Sequence, residues 1–177
     1  MGSRIECSGK KSFDLDVPNQ PTPLRGQSAK LAHIFVYTLK VAMKSRSALE
    51  LSDIKAIAAA AEAEALANQW AVTIAIADEG GHLLWLQRLD GAPAMSSHIA
   101  PAKAHTAALS RKESKVYEDV INGGRYSFLS APTVQGMLEG GVPIMKDGFC
   151  LGAVGVSGVK SSEDAQIAKA GIAAIGL

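Results

Sequence analysis

The sequence has little of what would mark a specialised small protein. It carries two cysteines in 177 residues, Cys7 and Cys150, far apart in the chain. That excludes a disulfide-rich secreted scaffold and any CxxC zinc site. Aromatic residues make up 5%, too few for a platform on which nucleic-acid bases stack. No apolar run reaches the roughly 18 residues that a transmembrane helix needs. Charge of one sign is also missing, the net being +1. What is abundant is small: 29 alanines and 17 glycines, so helices and strands can approach one another closely. A composition that is 47% hydrophobic is that of an ordinary soluble domain, with a core large enough to need no disulfide or metal.

The near-zero net charge conceals an asymmetry. Residues 1–47 hold eight Lys/Arg against three Asp/Glu, whereas residues 48–177 hold ten against fourteen. This predicts an N-terminal extension over 1–48 and a folded domain over 49–177. Up to Arg25 the extension reads as loop, interrupted by Pro18, Pro21 and Pro23. Leu31–Met43 is more apolar, but Lys44 and Arg46 follow it and no Ala-x-Ala cleavage site does, so a non-native leader is favoured over a signal peptide. The domain lacks the positive stripe nucleic acid requires. A cytoplasmic protein without nucleic-acid or membrane partners is therefore expected.

Apolar residues at helical spacing predict a helix from Leu51 to Trp70 capped by Ser52. Val72, Ile74 and Ile76 alternate with Thr73, Ala75 and Ala77, predicting a strand with one bulky and one small-residue face. The turn Asp78–Gly81 then leads into a second strand, His82–Leu89. A helix over Ser97–Lys112 follows, with Ser96 or Ser97 as its cap and Pro101 in its first turn. Ser114–Asn122 forms a shorter helix ended by Gly123, and 125–141 reads as loop. Asp147-Gly148 between two apolar runs is a two-residue hairpin signal, and Ser162 caps a last helix with Glu163 and Asp164 in its first turn. Hairpins with segregated helices predict α+β, with a largely antiparallel sheet.

Few residues offer chemistry. His98 and His105 share a helix face about 10.5 Å apart along its axis, too far for one metal ion; no metal site is expected. Either is a candidate axial ligand for haem, or a solvent-facing histidine. Lys103 lies among alanines: if buried it must be paired or shifted in pKa, and otherwise it snorkels to the surface. Asp78 is a candidate acid or base or simply a turn residue, and His82 a turn-surface histidine. Gly152–Gly158 is neither a dinucleotide motif nor a phosphate loop.

Three blocks, Asp78–Pro93, Ile99–Ala108 and Gly140–Gly158 running on to Glu163-Asp164, resemble the GlcG/HbpS-like family in the expected order over about 49–177. The resemblance implies a profilin-like fold, homo-oligomers, and relatives that bind or degrade haem or form the C-terminal domain of PduO-type adenosyltransferases. Others are encoded beside catabolic genes. The Glu-x-x-Glu motif of the secreted haem-binding members is absent. By similarity, Lys103, Gly140, Gly141 and Pro143 flank a ligand pocket. Two functions follow as expectations. One is a binding module for haem or another tetrapyrrole held by His98 or His105. The other is a small catabolic enzyme (isomerase, hydratase or lyase), in which Lys103 or Arg88 holds a carboxylate and Asp78 or His105 moves a proton.

Overall fold

The computed structural model describes residues 45–133 and 135–177. The expectations made for Cys7, the proline-rich loop and the leader-like stretch lie outside these residues. In chain order the elements are α1 (Leu51–Ala67), β1 (Thr73–Asp78), β2 (Leu83–Arg88), α2 (Ser96–Ser110), α3 (Lys115–Asn122), a 3₁₀ turn (Tyr126–Ser130), β3 (Gly141–Lys146), β4 (Phe149–Ser157) and α4 (Ser161–Ala173). The strands form one antiparallel sheet in the order β2-β1-β4-β3. Two hairpins are thus joined through their neighbouring strands β1 and β4, and the fold is α+β as expected.

The alternation in β1 assigns the layers. Ile74 and Ile76, with Val154 and Val156 of β4, pack against Ile57 and Ala61 of α1 and Ile167 of α4. Ala75 and Ala77 turn the other way, onto Ala100 and Ala104 of α2. Both faces of β1 are buried, one bulky and one small, because α2 lies almost on the sheet backbone. A Cβ built on Gly155 of β4 would stand 2.5 Å from the backbone nitrogen of Ala104 and 2.9 Å from its Cβ, so only glycine fits beneath the helix.

Several ends differ from expectation. α1 stops at Ala67, because Gln69 takes a left-handed φ of 58° and turns Trp70 out of the helix. Its N-cap is Glu50, whose amide donates to Asp53 Oδ2 at 2.9 Å, and Ser52 falls inside the first turn. α2 begins after Met95, and the Ser96 hydroxyl donates to Pro93 O rather than capping the helix. Pro101 consequently sits in the second turn, where it gives the carbonyl of Ser97 no amide donor. α4 begins two residues early, with Lys160 as its N-cap in place of Ser162. The Asp147-Gly148 signal holds: both residues take left-handed φ, 49° and 79°, as a tight hairpin between twisted strands demands.

Candidate functional site

Lys103 projects from α2 and is buried, with 2% of its surface exposed. Its Nζ donates to Asp164 Oδ2 at 2.8 Å and to Val156 O at 3.0 Å. Asp164 belongs to α4 on the opposite face, so the pair joins the two helical layers past the end of the sheet. Gly140 provides the opening. It has φ of 120°, unfavourable for any residue with a side chain, and a Cβ there would lie 2.7 Å from Lys103 Nζ and 2.9 Å from Asp164 Cβ. Gly141 follows directly, its amide donating to Ser114 Oγ at 2.8 Å, while Pro143 sits within β3 opposite Ala153. Lys103, Gly140 and Gly141 are therefore neighbours, with the lysine ammonium turned onto Asp164 and Val156.

Burial pushes the Asp164 carboxyl up, the Lys103 ammonium and the amide of Val159 pull against it, and the balance stays above the ordinary carboxylate value. The charge of Lys103 is spent on this partner. Asp78 is likewise occupied: its Oδ1 accepts the amides of Gly80 at 2.9 Å and His82 at 2.8 Å, and the His82 ring lies 3.0 Å from Oδ2. Burial raises its pKa, but the backbone and side-chain bonds from His82 and the bond from Gly80 outweigh it, leaving the carboxyl below its usual range. The stabilisation this brings is complete above the ordinary carboxylate range and is lost as pH falls through the lowered folded value. Asp78→Asn should therefore cost about 1 kcal/mol near neutrality and nothing in strong acid. Urea melts of both proteins across pH check this; an unchanged difference at low pH would contradict it.

Arg88 ends β2 opposite Thr73, exposed and far along the hairpin from the Asp78–Gly81 turn. Cys150 is no nucleophile, since burial pushes its thiol up. The described residues contain no cluster of three metal-ligating side chains. The open space lies elsewhere on α2. A cavity of about 500 Å³ is bordered by His98, Pro101, Ala102 and His105 on one helix face, in the size range of small-molecule pockets. Gly81 of the β1–β2 turn and Pro132, Thr133 and Gln135 of the following connection complete its described lining. His105 spans the cavity wall: Nδ1 lies 3.1 Å from Gly81 O and Nε2 lies 3.1 Å from Thr133 O. His98 is exposed, and among the described residues its ring has no hydrogen-bond partner.

His98 and His105 share the helix face that their spacing of two turns gives them, and both border the cavity. Pro101 and Ala102 were legible by the same spacing, at i+3 and i+4 from His98. Thr133 and Gln135 were not, because they lie in an aperiodic stretch and enter through backbone carbonyls. Thr106, beside His105, donates its hydroxyl to Gln135 O and tethers that stretch.

A four-stranded antiparallel sheet, with a cavity on the helix that covers its small-residue face, defines the class as an α+β domain. The chain belongs to the GlcG/HbpS-like family: the family described as haem degrading protein HbpS-like matches residues 49–173. It is 49% identical over 115 residues to protein GlcG of Escherichia coli K12, covering 65% of this chain and 85% of that one. Among solved structures it resembles a PduOC–haem complex (32% identity, TM-score 0.64, 72% of this chain and 95% of that one). It also resembles a double mutant of HbpS from Streptomyces reticuli (27% identity, TM-score 0.69, 76% and 92%).

Proposed function

We propose that the protein is a homo-oligomeric small-molecule-binding module whose ligand is haem or another tetrapyrrole, seated in the α2 pocket. The observation that carries this reading is His98, an imidazole without a protein partner among the described residues, standing beside the apolar walls of Pro101, Ala102 and Pro132. One accessible imidazole next to an apolar slot is the donor set haem iron requires. Haem, when bound, would supply a redox-active iron; His98 would hold it through a ring nitrogen, and Pro101, Ala102 and Pro132 would flank the macrocycle. His105, with both ring nitrogens on carbonyl oxygens, positions the pocket walls rather than ligating. The solved PduOC–haem complex, which the chain resembles, supports the ligand class.

Of the residues the enzyme reading invoked, Lys103 is paired with Asp164 and Asp78 is bonded to Gly80 and His82, which leaves Arg88 and His105 for it. Haemin titration of the full chain tests the proposal. A saturable, sharpened Soret band is expected, with His98→Ala shifting the band and weakening binding about tenfold or more, a change of 1.4 kcal/mol for each factor of ten. A broad band that grows without saturation, or a spectrum unmoved by His98→Ala, would overturn it.

A further inference from the structure

The two contacts of His105 carry a consequence for what the pocket selects. Gly81 O and Thr133 O are both carbonyl oxygens, and a carbonyl oxygen only accepts. A neutral imidazole has one N–H and one lone pair, so it satisfies one of the two and turns its lone pair on the other. The imidazolium has two N–H donors on opposite sides of the ring and satisfies both, through charge-assisted bonds. The site is therefore built for the protonated ring.

The surroundings favour an anion as the counterpart. None of the described residues lining the cavity is acidic. The titratable groups facing His105 from the packed elements are His98 on α2 and Asp78, Glu79 and His82 in the β1–β2 turn, and residues 131–133 and Gln135 add none. The Asp78 carboxylate is already turned onto the amides of Gly80 and His82 and the His82 ring. An imidazolium at position 105 thus stands on the pocket wall as a positive charge with no carboxylate lining the same space among the described residues.

We propose that the α2 pocket is a proton-linked anion site: it takes ligands bearing a carboxylate, and it takes them when the His105 ring carries both of its protons. The inference rests on the reading of this cavity as the ligand site, and it names the chemistry the ligand must carry. The propionates of haem and a free small carboxylic acid both supply it. His98, two helical turns away, is left to meet the remainder of the ligand. No covalent step is involved.

Two measurements test it. In the full chain without ligand, ¹⁵N resonances of the His105 ring at about pH 6 should report both nitrogens protonated, and a ring with one protonated nitrogen would overturn the proposal. In binding experiments, haemin, haemin dimethyl ester (propionates masked) and benzoate are titrated at about pH 6 and pH 8, either side of the ordinary imidazole range. With His98→Gln, which removes the imidazole that must lose its proton to hold iron, haemin should bind about tenfold tighter at the lower pH, the size of a typical coupling between two sites. The ester should bind that variant more weakly and without that dependence. Adding His105→Gln should abolish the pH ratio.

Benzoate binding with the same pH ratio identifies a free carboxylate as sufficient, whereas its failure beside pH-linked haemin binding identifies the propionates. Saturable haemin binding by His98→Gln that is equal at both pH values and equal to the ester overturns the anion site and leaves the haem reading standing. Non-saturating haemin with pH-linked benzoate binding does the reverse. Absence of binding by all three probes overturns both.

Discussion

Replacing Lys103 by Met is expected to destabilise the domain by about 3–5 kcal/mol, because it leaves the Asp164 carboxylate buried without its counter-charge. The pair has 3% and 2% of its side-chain surface exposed, so water cannot take the place of the lysine. The loss has a sign in pH. The folded pKa of Asp164 is raised, chiefly by burial, so its contribution favours the fold below the ordinary carboxylate range and is lost as pH rises through the folded value. Without Lys103 that rise is steeper, and Lys103→Met should sit closest to the parent in acid and farthest from it near neutrality. The double variant Lys103→Met/Asp164→Leu should recover most of the loss, since it removes both charges instead of stranding one. Urea unfolding of the four proteins as a double-mutant cycle checks this. A Lys103→Met midpoint equal to the parent's would mean the pair is not buried in solution.

Gly155→Val should be at least as damaging. Its Cβ would meet backbone and Cβ atoms of Ala104 at 2.5 and 2.9 Å, and neither is the tip of a flexible side chain that can swing away. Either α2 lifts off the sheet or the strand shifts, at a cost of about 3 kcal/mol or more, the upper end for overpacked cores. Because α2 carries His98 and His105, lifting it also dismantles the pocket. The variant should lose saturable haemin binding at temperatures where it remains folded. Leu66→Ala on α1, where 62% of the leucine is exposed, should change stability by no more than about 0.5 kcal/mol. Thermal melts and haemin titrations of the two side by side separate a packing effect from general sensitivity to substitution. A Gly155→Val protein with the parent's melting temperature would show that the helix does not rest on the strand.

Much of the architecture is legible before any tertiary contact is known. Alternation in residues 72–77 assigns a bulky and a small face to β1, and the two faces meet different helices. Asp147-Gly148 marks its hairpin, since few residue pairs tolerate two successive left-handed φ values. The seven-residue spacing of His98 and His105 puts both on the cavity face of α2. These readings succeed because each depends on neighbours within one or two turns. Helix ends were less legible, as at Ser52, Ser96 and Ser162, because a nearby Glu50, Met95 or Lys160 serves as the boundary once the chain enters the helix from its actual direction.

What only the tertiary structure decided is which polar groups meet. Lys103 could be exposed or buried on sequence alone, and its partner Asp164 lies 61 residues away, where it reads as an ordinary N-terminal helix acid. Gly140 looks like loop glycine until it proves to be the opening through which that pair closes. Thr133 and Gln135 reach the pocket through carbonyls, which every residue carries and no sequence pattern distinguishes. The residues determine the elements and their apolar faces by local periodicity. Long-range closure, which sets burial and hydrogen-bond partners together, decides that one basic side chain holds the layers of the fold and that a histidine two residues along borders the cavity.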